Sequence, residues 1–364
     1  MNYVSIFRLR SKSSPTKGNP SVKALYVSIL ASPLFWVGSV SGQQHDIYLY
    51  NWDEFLSDSV ITQLNDTYDI SLKQQFFSDE SIRDEVLLSE RRGAFELVVV
   101  ESVKLKALAK QNLFHNLSEL QSSLADNFDS RWADGCGEYG IPYAWGTSGI
   151  LYRTDKVSPP QSWKAILDPD AKNSGRISMY YEPTDLVSTA LLVNQFDPFT
   201  NDEQELRVAY QTLQIQKPHL ESNEYVVDYI HQPERLTNID LAYGYSGDSY
   251  VLNDADPDAS WAYIVPEEGT TLWLECIAAI NNGEMSSQAS TILSFLSQPT
   301  IAAQNAMDSW FATPSLKAKA LTSQEYQNDP ELFPSKEVLE RSYLYEQLEP
   351  NSIQIRNRIV DSLR

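Results

Sequence analysis

The sequence is poor in residues that build common metal and nucleophile sites. It has two cysteines and four histidines among 364 residues. The histidines form no H-E-x-x-H motif and no finger-type spacing with a cysteine: His45, His115, His219 and His231. The stretch 244–248 approaches a nucleophile elbow, but Asp248 stands where the last glycine is needed. Phosphate-binding and dinucleotide-binding glycine loops are absent as well. We therefore expect a protein that is not an enzyme and has no catalytic residue, metal or cofactor.

Positive charge is also scarce. The chain has 28 Lys and Arg residues against 49 Asp and Glu residues, a net charge of −21. Such a protein repels phosphate backbones, which argues against a nucleic-acid partner. It would attract a small cationic ligand. Acidity alone is more simply explained by solubility, and carboxylate pairs such as Glu182 and Asp185 are expected by chance among so many acids.

Long apolar runs are missing after residue 42, whereas the first 42 residues differ from the rest. They contain five basic residues and no acidic one, followed by an apolar run over 24–40 and small residues before Gln43. This order is typical of a secretory signal peptide, here residues 1–42 with cleavage near Gly42. It predicts export to the periplasm. The alternative is an uncleaved membrane anchor at the short edge of spanning length.

Hydrophobic periodicity predicts two α/β lobes. Residues 46–50 and 70–76 alternate as strands do, residues 60–68 repeat at helical spacing, and 97–100 is a short apolar run. These segments predict a largely parallel sheet. Further strands are expected at 140–146, 150–152, 177–181, 239–243, 263–266 and 272–280. Residues 289–296 show an amphipathic helix that ends before Pro299.

Five short motifs follow one another in a fixed order. They are Y-L-Y-N-W-D-E-F at 48–55, E-L-V-V at 96–99, I-P-Y-A-W-G-T at 141–147, W-L-E at 273–275 and F-A-T-P-S at 311–315. In these motifs the chain resembles the spermidine/putrescine-binding periplasmic proteins of ABC importers. The resemblance implies the two-lobed type II periplasmic binding protein fold, with a ligand cleft between the lobes. Lobe one would be 45–143 plus 276–308, and lobe two 144–275 plus 309–364.

The resemblance also implies a polyamine ligand. A closed cleft must supply carboxylates for the ammonium groups, since an unpaired buried charge is costly. Aromatic faces suit the methylenes and the cations between them. Carried onto this chain, the ligand-binding residues would be Trp52, Asp53, Phe55, Glu101, Ser102, Glu182, Asp185, Tyr245, Asp248, Trp273, Glu275 and Phe311.

Some positions depart from the family pattern. The family has Pro-Ser-x-Tyr after the second motif, where this chain has Val-Glu-Ser-Val at 100–103, and Phe311 replaces a tyrosine. A triamine such as spermidine or norspermidine suits the several acids best, while a diamine such as putrescine stays open. The resemblance places Cys136 before the first crossing between lobes and Cys276 after the return crossing, which implies a disulfide.

The family offers two roles for a monomeric protein of this kind. The first is transport, in which the loaded form docks on an inner-membrane ABC permease. The second is sensing, in which it reports a polyamine to a membrane receptor that controls cyclic-di-GMP and biofilm growth. A third class, a ferric-ion or other solute binder of the same fold, is suggested by the adjacent Tyr180 and Tyr181, which we expect instead to be one buried and one exposed residue.

Overall fold

A computed structural model describes residues 46–77 and 80–364. The described residues belong to one compact unit. The predicted signal peptide and its cleavage point lie outside them and stay predictions. Within the described ranges, no helix is both long and apolar enough to cross a membrane.

Strands and helices alternate over much of the chain. The strands are β1 Asp46–Asn51, β2 Ser71–Phe76, β3 Leu97–Glu101, β4 Gly140–Arg153, β5 Ile177–Ser178, β6 Leu220–Ser222, β7 Leu241–Tyr245, β8 Trp261–Ile264, β9 Thr271–Ala279 and β10 Tyr343–Leu344. The first helices are α1 Asp58–Tyr68, α2 Glu80–Leu87, α3 Ser102–Ala109, α4 Ser118–Leu124, α5 Ser130–Ala133, α6 Lys164–Leu167, α7 Pro183–Val193 and α8 Glu203–Gln216. They continue with α9 Pro233–Leu236, α10 Asp248–Ala255, α11 Ser287–Leu296, α12 Pro299–Ser309, α13 Leu316–Lys319, α14 Gln324–Gln327, α15 Lys336–Glu340 and α16 Pro350–Leu363. Short 3-10 turns occupy Glu90–Ala94, Ala125–Asn127, Lys217–His219 and Val226–His231.

The strands form a single sheet in the order β2-β1-β3-β9-β4-β7-β5-β6, with β10 beside β9 and β8 beside β4. β1 is parallel to β2 and β3, and β5 is parallel to β6 and β7. β9 is antiparallel to β3 and β4, and β4 is antiparallel to β7, so these two strands join the two parallel parts. The predicted α/β class and its parallel strands are confirmed.

One long strand stands where the sequence suggested two. β4 pairs with β9 over its first half and with β7 and β8 over its second half. Polar residues interrupt the apolar pattern in the middle, but their hydroxyls find buried partners. Thr147 bonds the Tyr263 hydroxyl at 2.7 Å, and Ser148 bonds Thr271 at 2.9 Å. Because these groups are satisfied, the strand continues through them.

Buried side chains form several separate clusters along the sheet. One cluster contains Val98, Val100, Leu105, Leu274, Phe311, Tyr326 and Leu332. Another contains Ile177, Leu186, Leu191, Leu241, Ile359 and Val360. The segment around 311–332 thus packs with residues of predicted lobe one, and α16 packs with those of lobe two. The exact lobe boundaries stay a prediction.

The predicted amphipathic helix is present as α11, with Ala289, Ile292, Leu293 and Leu296 buried. Pro299 is the first residue of α12, a position where its missing N–H costs nothing. A disulfide joins Cys136 to Cys276, whose Cα atoms are 5.9 Å apart. Both cysteines are fully buried, and Cys276 lies in β9 directly after Glu275.

Candidate ligand-binding site

Several of the predicted residues lie where strands end and helices begin. Trp52 follows β1, Glu101 ends β3 and Tyr245 ends β7. β1 and β3 are parallel neighbours, so Trp52 and Glu101 lie at the same edge of the sheet, at the carboxyl ends of strands where open α/β proteins bind ligands. Tyr245 lies at the carboxyl end of a strand in the other parallel part of the sheet.

Glu275 is a buried acid that uses only one of its oxygens within the described part of the chain. Only 6% of the residue is exposed. Oε1 accepts a hydrogen bond from Trp52 Nε1 at 3.2 Å. Oε2 is buried and has no hydrogen-bond partner among the described residues. Burial raises the pKa of Glu275 to about 8, while the Arg83 charge lowers it and Glu80 and Glu101 raise it. A cation beside Oε2 would favour the ionised form.

Glu101 caps helix α3, of which Ser102 is the first residue. The Glu101 carboxylate accepts the Val103 amide at 2.9 Å, the Lys104 amide at 3.1 Å and the Ser102 hydroxyl at 2.7 Å. This N-cap stabilises the helix start. Burial raises the pKa of Glu101, and these hydrogen bonds oppose the rise. Glu101 therefore contributes charge to the site while its oxygens are already engaged.

Aromatic rings line the same region. Trp52 meets Phe77 edge-on with ring centroids 4.4 Å apart, and Phe55 stacks on Phe311 at 5.5 Å. Trp273 lies over Gly146, where an added Cβ would be 2.2 Å from the indole ring. Only glycine admits the indole at this distance. Trp273 Nε1 is buried without a hydrogen-bond partner among the described residues.

Asp185 and Glu182 lie at the start of α7. Asp185 is 2% exposed. Its Oδ2 accepts the Tyr245 hydroxyl and its Oδ1 accepts the Tyr345 hydroxyl. Glu182 Oε2 accepts the Asp185 amide at 2.8 Å and caps the helix. Burial, followed by the nearby Asp185 charge, raises the pKa of Glu182 to about 8, and burial also raises that of Asp185.

Asp248 is the first residue of α10 and accepts hydrogen bonds from two tyrosines. It accepts the Tyr225 hydroxyl at 2.6 Å and the Tyr245 amide at 2.7 Å through Oδ2. Burial raises its pKa to about 6. The Tyr225 ring packs on those of Tyr180 at 5.3 Å and Tyr245 at 5.8 Å. Tyr181 next to Tyr180 is buried.

Asp53 stands apart from these groups. It is exposed, and its Oδ1 accepts the adjacent Glu54 amide at 3.0 Å. The structure thus places Trp52 and Glu275 together, and Asp185 with Tyr245 and Tyr345. It leaves Asp53 at the surface.

Sequence patterns did not point to Glu80, Arg83, Tyr225 and Tyr345. Arg83 is fully buried, pairs with Asp84 at 3.0 Å and Glu80 at 3.4 Å, and lies 5.5 Å from the Phe77 ring. The Glu80 charge raises the pKa values of four acids: Glu101, Glu182, Asp185 and Glu275. The sequence spacing could have indicated that Arg83 is buried. Arg83 lies three residues before Val86 and four before Leu87, so it shares the helix face of these two buried residues.

The family model of bacterial extracellular solute-binding proteins matches residues 60–334. The chain belongs to this family. This solute-binding protein is 29% identical over 319 residues to the norspermidine sensor of Vibrio cholerae, covering 87% of this chain and 88% of the sensor. It is 26% identical to the putrescine-binding periplasmic protein SpuD of Pseudomonas aeruginosa, covering 85% and 91%. It is 25% identical to the spermidine/putrescine-binding periplasmic protein of Escherichia coli, covering 80% and 84%.

Solved structures show the same fold. The spermidine/putrescine ABC transporter substrate-binding protein PotD of Streptococcus pneumoniae superposes with a TM-score of 0.76 at 19% identity, covering 87% of this chain and 98% of that one. The Tp0655 lipoprotein of Treponema pallidum gives 0.75 at 17% identity, covering 88% and 99%. The solute-binding protein therefore has the two-lobed periplasmic binding protein fold that its sequence predicted.

Proposed function

We propose that this solute-binding protein binds a linear aliphatic polyamine in the periplasm, between its two lobes. A triamine such as spermidine or norspermidine is favoured, and a diamine such as putrescine is the nearest alternative. The observation that carries the proposal is Glu275, a buried carboxylate with one oxygen on Trp52 and the other without a partner among the described residues. An ammonium group supplies both the missing donor and the missing charge.

The rest of the site suits the same ligand. Rings of Trp52, Trp273 and Tyr245 offer faces for methylenes and for cations. Glu182 adds a second carboxylate whose raised pKa reflects burial and the neighbouring Asp185. A cationic ligand relieves the repulsion among these acids, and the net charge of −21 helps it to approach. The protein binds the ligand without changing it chemically.

Once loaded, the protein either delivers its ligand or signals its presence. We favour delivery of the polyamine to an inner-membrane ABC permease. The alternative is a signal to a membrane receptor that controls cyclic-di-GMP, and the 29% identity to a norspermidine sensor supports it. Deleting the gene and measuring polyamine uptake and cyclic-di-GMP separately tells the two apart. Loss of uptake supports transport, and a cyclic-di-GMP response with normal uptake supports sensing.

The ligand itself is tested by titrating purified mature protein with norspermidine, spermidine, putrescine and ferric ion. Tryptophan fluorescence and melting temperature are followed. We expect saturable stabilisation by amines, strongest for a triamine, because ligand binding to the folded state alone raises its stability. A response to ferric ion and to no amine would replace the polyamine proposal with an iron-binding one.

A further inference from the structure

Asp185 differs from Glu275 in how its oxygens are used. Each Asp185 oxygen accepts a phenol hydroxyl, from Tyr245 on Oδ2 and from Tyr345 on Oδ1. Hydrogen bonds from a hydroxyl to a carboxylate are among the stronger ones in proteins. Glu275, in contrast, keeps a buried oxygen without a donor among the described residues. The two acids therefore differ in how readily they can accept a cation.

The two tyrosines are held by separate parts of the fold. Tyr245 ends β7 within the sheet. Tyr345 follows β10, which runs parallel to β9, and its amide donates to the Leu272 carbonyl at 3.0 Å. Its ring packs edge-on against Phe199 at 5.5 Å. Both hydroxyls are thus fixed from outside α7, and they hold the Asp185 carboxylate between them.

An ammonium at Asp185 would have to reach a carboxylate that is 2% exposed and share oxygens that each already accept a phenol hydroxyl. If it displaced a phenol to get there, the cost of the unpaired hydroxyl would offset what the new bond contributes. Glu182 is easier to reach, because it is half-buried whereas Asp185 is 2% exposed. Its carboxylate also lies at the N-terminus of the eleven-residue helix α7.

We infer that Asp185 is a positioning residue that holds Tyr245 and Tyr345 with and without ligand, and that the ligand ammonium groups bind at Glu275 and Glu182. This inference rests on the proposed polyamine function. It makes Tyr345, which no motif singled out, part of the site. Asp185 still acts on the ligand through its neighbour, since its charge raises the pKa of Glu182.

The test is calorimetric titration of the mature protein with norspermidine, for wild type, Asp185→Asn and Glu182→Gln. An asparagine can accept the Tyr245 hydroxyl and donate to the Tyr345 oxygen, so the cluster keeps its geometry. We expect Glu182→Gln to weaken binding by about a hundredfold or more. Asp185→Asn should weaken it by about tenfold or less, because only a longer-range charge is lost.

An Asp185→Asn loss as large as that of Glu182→Gln would overturn the inference. Wild-type protein that binds no amine would overturn the proposed function and the inference with it, so the two failures are distinct.

A second variant keeps the test open if Asp185→Asn folds poorly. Tyr345→Phe removes the donor to Oδ1 and leaves the ring. We expect a lower melting temperature without ligand, and norspermidine affinity that does not increase. Tighter binding would show that the hydroxyl competes with an ammonium, and would contradict a positioning role.

The pH profile separates positioning from a purely structural role. The groups that face this acidic pair are Glu80 of α2, Arg356 of α16 and the tyrosines Tyr243, Tyr245 and Tyr345. Removing the Asp185 charge lowers the pKa of Glu182, so norspermidine affinity in Asp185→Asn should persist to lower pH than in wild type. An unchanged profile would contradict the coupling.

Discussion

Glu101 of β3 lies directly opposite Glu275 of β9 in an antiparallel pair of strands. Like charges at opposed positions destabilise a sheet. The pairing therefore opposes ionisation, and the Glu101 charge is one of the causes that raise the pKa of Glu275. Glu101 has its own donors at the start of α3, whereas Glu275 has an oxygen without one among the described residues. A cation is therefore better accommodated at Glu275 than at Glu101.

The raised pKa values predict how stability depends on pH without ligand. Burial raises those of Glu275 and Glu182 to about 8, above the value of about 4.3 expected in the unfolded chain. The folded protein then binds more protons than the unfolded one between these two pKa values. The contribution of these two groups to the free energy of unfolding therefore falls as pH rises from about 5 to about 8. Urea unfolding across this range should show a shallower decline for Glu275→Gln than for wild type. Equal slopes would contradict the raised pKa of Glu275.

Substitution of Gly146 tests whether the Trp273 indole must lie against the backbone. An alanine Cβ would be 2.2 Å from the indole, so the ring must move. We expect Gly146→Ala to cost about 1–3 kcal/mol of stability and to weaken polyamine binding. Gly93→Ala is the matched control, since nothing lies within 4 Å of its added Cβ. Equal polyamine affinity in the two variants would show that Trp273 does not contact the polyamine.

The disulfide joins parts of the chain 140 residues apart. Replacing both cysteines by serine should lower the free energy of unfolding by about 2–5 kcal/mol. Since Cys136 and Cys276 are fully buried, a mild reductant should leave the folded protein unchanged and act only during unfolding. Thermal melts with and without reductant measure both effects. Identical melts for the wild type and the double serine variant would mean that the bond adds no stability.

Local patterns predicted the fold well. The alternation at 70–76 and the apolar run at 97–100 became β2 and β3, and the spacing at 289–296 became α11. The strand expected at 177–181 is shorter in the structure, where only Ile177–Ser178 pairs as a strand. The merging of 140–146 and 150–152 into β4 could not be foreseen, since it depends on buried partners such as Tyr263 and Thr271, more than a hundred residues away.

The site was predicted less completely, for the same reason. Motif order pointed to Trp52 and Glu275, and the structure joins them. It could not show that Tyr345 bonds Asp185 from 160 residues away, or that the buried Arg83 lowers the pKa of Glu275. Asp53 is adjacent to Trp52 in sequence, yet it is exposed, because the chain turns away from the sheet after β1. Its role in binding stays a prediction.

The most direct test is calorimetric titration of ligand-free mature protein with norspermidine, comparing wild type with Glu275→Gln. We predict saturable one-to-one binding by the wild type, with proton release near neutral pH, because Glu275 must ionise to pair with the ammonium. Glu275→Gln should bind about a hundredfold or more weakly and release fewer protons. Unchanged affinity and unchanged proton release in Glu275→Gln, in a variant with a normal melting transition, would contradict an ammonium site at Glu275.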